Sequence, residues 1–399
     1  MIGDGWNDEP AAGRPGPAEP PPQGVRRVAV VTGSRADFGL LRPVMLAIHA
    51  HPELELAVIA AGAHLIAPAE TFRDVKTTFA VADAVPMQIA GKTGRVEDAH
   101  ALGRGVGRFA RAFDRLRPDW VLVLGDRIEA FAAASAASVG GWALAHVHGG
   151  DRAEGIADEA MRGAITKLSH LHLAATATSA DRLLRMGERP EHVHAVGSPA
   201  ADGLAAIPPL DDGAFDELGR PTAVLLMHPV GRPVELEEAA AASILEGLAG
   251  ERILALHPNF DPGREGILRA ILAAGVPART HLPRDRFVGL LRRLADRTGG
   301  APGALVGNSS AALIEGAILR VPAVDIGPRQ AGRERGPNAV HAEGERPEAV
   351  RAAVARARGL ELREGDHPYG DGGAGPRIAA LLARTNPHDP ALLRKRNAY

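Results

Sequence analysis

A repeated rhythm constrains this chain more than any other feature. Short β-branched runs, "RVAVVTG", "LAVIAAG", "WVLVLGD", "ALAHVHGG", "LHLAAT" and "VHAVGS", alternate with Ala/Leu/Arg-rich stretches of helical length. Continuously apolar strands need cover on both faces, which a parallel sheet between two helix layers supplies. The rhythm breaks over residues 200–221, where prolines, glycines and acids crowd together. It resumes with "TAVLLMHPV", "RILALHP", "ALVGNSS" and "VPAVDIG". At 399 residues the chain is long enough for two domains. The expectation is an α/β protein of two Rossmann-like, doubly wound domains, 25–200 and 201–375, with strand ends facing an interdomain cleft. Ligands of such sheets bind outside the carboxyl ends of the strands. A last helical segment, 376–399, is placed to pack back on the first domain.

Composition narrows the partners. A hydrophobic fraction of 45% suffices for two cores, and a formal net charge of -2 gives no field that would gather nucleic acid or an anionic membrane. A small molecule is the expected ligand. Cysteine is absent, which removes disulfides, thiolate metal sites and thiol nucleophiles together. Residues 1–24 are rich in Pro, Gly and Ala without an apolar core, so they read as a disordered tail rather than a secretion signal. No later run is long and apolar enough to span a bilayer, and a cytoplasmic location is expected.

Chemistry-bearing residues gather at the ends of the apolar runs. In "VTGSRADFG" a glycine turn opens a helix, so its N–H groups and Arg35 could meet an anion; a plain strand-to-helix turn explains it equally. "GDR" places Asp126 and Arg127 directly after a strand, where a helix cap accounts for the Asp as well as a catalytic role does. Beyond "HVHGG", His148, Asp151, Glu154, Asp158 and Glu159 crowd one glycine-rich loop, entering a helix that carries Arg162 and Lys167. Several acids and a histidine in one cleft can have their pKa values driven apart, as proton abstraction and leaving-group protonation require. Alternation on a strand sends His146 and His148 to opposite faces, which weakens a shared metal site. His228, His257 and Asn259 follow strands of the second half. "GNSS" presents Asn308, Ser309 and Ser310 at the start of a helix as a diphosphate cradle, with Glu315 beyond it as an acceptor for ribose hydroxyls. A serine cap explains one of these hydroxyls, but not the later arginines Arg329, Arg333 and Arg335.

Together, "GSRADFG", "VLGDR", "HVHGG", "DEAMRGAITKLSHLHL", "VGSP", "HPV", "PNFDPG", "GNSS" and "GPRQAGRERGPN" resemble the hydrolysing UDP-N-acetylglucosamine 2-epimerases of sialic-acid and nonulosonic-acid biosynthesis. The resemblance implies a GT-B-like domain pair and a cytoplasmic homo-oligomer, dimer or tetramer. It also implies a reaction without metal or other cofactor that yields N-acetylmannosamine and UDP. Carried over by position, Arg35, Gly39, Arg127, His228, Asn259, the Leu282 backbone, Ser309, Ser310, Glu315 and Arg329 resemble the nucleotide contacts. Asp126 and Asp158 fall on the family's catalytic carboxylates, with His148, Glu154 and His228 as further candidates. His148 stands where the animal enzyme has a Glu, and the family's "IRH" reads "MRG" at 161–163.

Elimination of UDP across C1–C2 begins with removal of the weakly acidic C2 proton and leaves a glycal. Water then adds at C1 while C2 is reprotonated from the other face. Two proton-transfer groups and cationic donors for the departing diphosphate are required. A GDP-linked or diacetamido sugar is the first alternative substrate. The non-hydrolysing epimerase, a GT-B glycosyltransferase and a non-catalytic nucleotide-sugar-binding protein are the alternative functions.

Overall fold

A computed structural model describes residues 18–67, 71–92, 94–153, 158–259, 261–298 and 300–398, and of Asp158 the backbone alone. The first sheet comprises β1 (Arg26–Thr32), β2 (Leu54–Ala61), β3 (Val81–Val85), β4 (Trp120–Leu124), β5 (Ala143–Val147), β6 (Leu171–Ala174) and β7 (Val193–Ala195). All pairings are parallel, in the order β3-β2-β1-β4-β5-β6-β7. The order reverses between β1 and β4, which opens a crevice at their carboxyl ends. One face is covered by Leu41, Met45 and Ile48 of the helix Arg35–Ala50. The other is covered by Phe109, Phe113 and Leu116 of Arg95–Leu116 and by the alanines of Ile128–Gly140. Small residues let these last two helices approach closely: a Cβ on Gly105 would lie 2.9 Å from that of Ala132.

The second sheet repeats the plan with β8 (Ala223–Leu226), β9 (Ile253–Leu256), β10 (Ala278–Arg279), β11 (Ala304–Gly307), β12 (Ala323–Asp325) and β13 (Ala339–His341), ordered β10-β9-β8-β11-β12-β13. Its crevice lies between β8 and β11. Three strands, β3, β10 and β13, have no counterpart among the runs picked out in the sequence. Each is an edge strand, half-exposed and interrupted by Asp83, Arg279 or His341, so none carries a continuous apolar signal.

The chain then returns. The helix Ala374–Arg384 inserts Ile378, Leu381 and Leu382 into the core of the first domain, and Trp120 Nε1 donates to the Leu382 carbonyl (3.2 Å). Nearby, Glu188 accepts from Lys167 (2.9 Å), His172 (2.9 Å) and Lys395 (2.7 Å). Burial by itself pushes this carboxyl up, but His172 and the two lysines outweigh it and hold its pKa at about 2. A folded pKa below the unfolded value gives stability that is complete above about pH 4.5 and is lost as pH falls through about 2. Glu188→Gln is therefore expected to cost about 3 kcal/mol at neutral pH. It should converge on the parent near pH 2, in urea unfolding measured across a pH series. No helix among the described residues is long and apolar enough to cross a membrane.

Candidate functional site

The first crevice is lined by the turns after β1 and β4. Ser34 and Asp37 form a capping box: the Asp37 carboxylate takes the N–H groups of Gly33 and Ser34, each at 2.8 Å. These two donors are thereby used internally, as in the plain strand-to-helix turn. Arg35 projects from this helix N-terminus, close enough for its charge to add to burial in lowering the pKa of His281, on the second domain. Gly39 lies one turn further, where an added Cβ would meet nothing.

Asp126 is not a helix cap. The cap position of Ile128–Gly140 is Arg127, with no side-chain cap bond, while the Asp126 carboxylate accepts from the buried Arg162 guanidinium. Arg127 leans on the buried Glu129 at 3.4 Å. Glu129 also accepts from Gln88 (2.7 Å) and fills the space that side chains on Gly33 and Gly62 would need.

After β5 the two histidines diverge. His146 Nε2–H donates to the Gly125 carbonyl (2.7 Å), and burial pushes its pKa down to about 3, so it remains neutral and ties the end of β5 to that of β4. His148 has a left-handed backbone, φ 62°, a conformation that costs a non-glycine residue energy and clusters at functional sites. It is buried, with Nδ1 2.8 Å from Asp151 Oδ2 and Nε2 3.1 Å from Ser198 Oγ. The second glycine behind it is a steric necessity: Gly150, φ 76°, would drive a Cβ to 2.2 Å from the Ser179 carbonyl. Asp158 opens the helix Asp158–Leu168; its side chain, and all of Glu154, lie outside the described residues. Glu159 accepts from the Ala153 N–H at 3.0 Å.

The second crevice is held by an exchange between β8 and β11. Asn308 accepts from the His228 N–H (2.7 Å) and donates to its carbonyl (2.8 Å). The Asn259 N–H donates to His228 Nδ1 (3.1 Å), so the imidazole proton sits on Nε2, and burial with the Arg329 charge pushes the pKa down to about 3. Gly307, φ 137°, would place a Cβ 2.2 Å from the Leu226 carbonyl, so "GNSS" must begin with glycine. Ser309 caps Ser310–Leu313, and that helix breaks at Ile314 before Glu315–Ile318 begins. The sequence suggested one continuous helix. The break puts Glu315 at the head of its own turn, buried, with Arg284 3.6 Å away. Burial raises the Glu315 pKa, while Arg284 opposes the rise. Leu282 packs on the second core just before the helix Arg284–Ala295.

The three arginines grouped in the sequence do not converge on the serines. Arg329 and Gln330 both donate to the Asn308 carbonyl (3.3 and 3.0 Å), Arg333 crosses to Asp151 (3.2 Å), and Arg335 pairs with Asp325. Glu334 on the same loop accepts from Thr176. This loop therefore joins the second crevice to the His148 loop of the first domain. The sequence reading did not single out Ser198, Glu129 or Gln330, and it gave Asp151 and Arg162 no partners. Apart from His148 with Asp151 and Arg127 with Glu129, spacing could suggest none of the pairings that join them, since the closing residues are far apart in the chain. A half-open cavity of about 510 Å³ beside this junction is lined by Asp151, Glu159, Arg162, Gly163, Arg182 and Arg185 among others.

Two parallel α/β domains, each with its switch point turned to a shared cleft, define the GT-B-like class. The UDP-N-acetylglucosamine 2-epimerase family model matches residues 46–383, and the chain belongs to that family. It is 32% identical over 358 residues to the UDP-N-acetylglucosamine 2-epimerase of Neisseria meningitidis serogroup B, covering 87% of this chain and 92% of the relative. It is also 32% identical over 388 residues to the UDP-N,N'-diacetylbacillosamine 2-epimerase (hydrolyzing) of Legionella pneumophila, covering 94% and 100%. Among solved structures, the Methanocaldococcus jannaschii UDP-GlcNAc 2-epimerase in complex with UDP-GlcNAc and UDP superposes with a TM-score of 0.74 at 17% identity, covering 90% of this chain and all of that one.

Proposed function

We propose that the protein is a hydrolysing 2-epimerase that converts UDP-N-acetylglucosamine and water to N-acetylmannosamine and UDP. The observation that carries this reading is the opposition of two chemistries across one cleft. Proton-transfer groups, Asp126 against Arg162 and His148 against Asp151, stand on the first domain. Nucleotide donors and acceptors, His228, Asn308, Ser309, Ser310, Glu315 and Arg329, stand on the second. Neutral His228 with its proton on Nε2 is a hydrogen-bond donor for a diphosphate oxygen, and Arg35, Arg127 and Arg329 supply positive charge for the leaving UDP. Asp126, Asp158 and His148 are the groups assigned to C2 deprotonation and reprotonation from opposite faces, with Glu154 as a further acid on the same loop. Asn259, the Leu282 backbone and Gly39 complete the nucleotide-sugar contacts.

A second reading, a 2,4-diacetamido sugar substrate, is favoured by the Legionella relative and by Gly163, which opens onto the cavity and leaves room for a larger sugar. One experiment separates them. Protein incubated with UDP-N-acetylglucosamine in deuterated water is expected to release UDP and N-acetylmannosamine carrying deuterium at C2, seen in the anomeric proton signals. A UDP-linked epimer would sink the hydrolysing assignment. Inertness towards this sugar together with turnover of the UDP-diacetamido sugar would establish the second reading.

A further inference from the structure

We propose that Asp151 is the positioning residue of His148, fixing the imidazole proton on Nδ1 and leaving Nε2 as the basic nitrogen, and that Arg333 couples this carboxylate to the second domain. The inference rests on the proposed role of His148 in proton transfer. An ionised carboxylate only accepts, so the 2.8 Å contact from His148 Nδ1 to Asp151 Oδ2 requires the proton on Nδ1. In the neutral imidazole Nε2 is then an acceptor, and the Ser198 hydroxyl 3.1 Å away donates to it. Asp151 is itself held from two more directions, by the Ser179 hydroxyl on Oδ1 (2.7 Å) and by Arg333 Nη1 on Oδ2 (3.2 Å). Burial raises the Asp151 pKa, but His148, Arg333 and Arg162 together hold it below the usual carboxylate range, so the acceptor stays ionised.

The order Ser198–His148–Asp151 repeats the residue types of a nucleophilic triad. Here the serine is fully buried and also accepts from the Ala200 N–H (3.2 Å), which leaves no approach for an electrophile. Its hydroxyl occupies Nε2, so a substrate proton reaches that nitrogen only when this bond opens. Arg333 belongs to the loop whose Arg329 and Gln330 grip the Asn308 carbonyl beside the diphosphate cradle. A single loop thus touches the nucleotide end and the carboxylate that orients the base.

The test compares Asp151→Ala, Asp151→Asn and Arg333→Met in the full-length protein. The ¹⁵N imidazole signals of His148, assigned by difference from His148→Gln, are read alongside kinetics. The parent is expected to carry its proton on Nδ1. Asp151→Ala should move it to Nε2, where it donates to Ser198, and lower kcat about 10- to 100-fold with KM within about 3-fold. In Asp151→Asn the amide oxygen can still accept from His148 while its NH₂ group donates to Ser179, so the Nδ1 tautomer and an intermediate kcat are expected. Arg333→Met should lower kcat with the tautomer unchanged. If Asp151→Ala fails to fold with Arg333 left uncompensated, the other two variants decide. A parent His148 protonated on Nε2, or an active Asp151→Ala with kcat within about 2-fold of the parent, overturns the positioning role. A rise in KM alone for Arg333→Met overturns the coupling. The tautomer needs no substrate, so a wrong assignment of the reaction leaves that readout standing and is told apart by the absence of turnover in the parent.

Discussion

Asp126→Asn is expected to lower kcat by about 10²- to 10⁴-fold while UDP affinity stays within a few-fold, with single-turnover kinetics and calorimetry read side by side. Asparagine keeps the shape of the side chain and an oxygen for the Arg162 guanidinium, which is bonded to Asp126 in the parent. It cannot carry a proton to or from carbon. The proposed UDP contacts sit mostly on the second domain, around the exchange between His228 and Asn308, which this substitution does not touch. Loss of affinity together with rate would mean that Asp126 acts by holding Arg162 for the phosphates, and the proton-transfer role would pass to His148 and Asp158. Retained turnover would remove Asp126 from the chemistry altogether. The split between kcat and affinity thus distinguishes a transition-state role from uniform binding.

The fold was legible because central strands advertise themselves. "RVAVVT" and "WVLVL" are buried on both faces, and a run of apolar residues is the direct record of that burial. Half-exposed edge strands can lack such a record, as VADAV at Val81–Val85 does, although edge strand β7 shows in "VHAVGS". For the site, strand ends were the useful signal: Asp126, His148, His228 and Asn308 all follow strands of the two sheets. Partners were not legible. Asp126 and Arg162 are separated by 36 positions and Asp151 and Arg333 by 182, distances closed only by the packing of one element on another. Local rules also compete at one position. A carboxylate after a strand satisfies a cap or a catalytic geometry equally well. The sequence therefore could not say that Asp37 closes its own turn whereas Asp126 reaches to a different helix.

Ending the chain after Gly373 is expected to abolish cooperative folding of the first domain, although every residue removed lies beyond the second. The deletion takes away Ile378, Leu381, Leu382 and Leu392, which are all buried. At about 1.5–3 kcal/mol for each such side chain, their loss is on the order of 6–12 kcal/mol, comparable to the whole stability of a typical domain. It also removes the carbonyl acceptors of Trp120 and Arg26 and deprives buried Glu188 of Lys395. Leu382→Ala is the graded form of the test, expected to cost about 2–5 kcal/mol in urea unfolding with an unchanged m-value. The returning segment is stitched to the outgoing one: the Ser198 N–H donates to the Tyr369 carbonyl (2.9 Å), and Asp202 accepts from the N–H groups of Ala374 (3.0 Å) and Gly375 (2.6 Å). The chain crosses between the domains twice at one place, beside the serine that faces His148. A truncated protein that unfolded cooperatively at the parent urea midpoint would show that the first domain is complete without this helix. A shifted or broadened transition would place the C-terminal helix in the first domain's folding unit and make the double crossing the pivot against which the cleft is set.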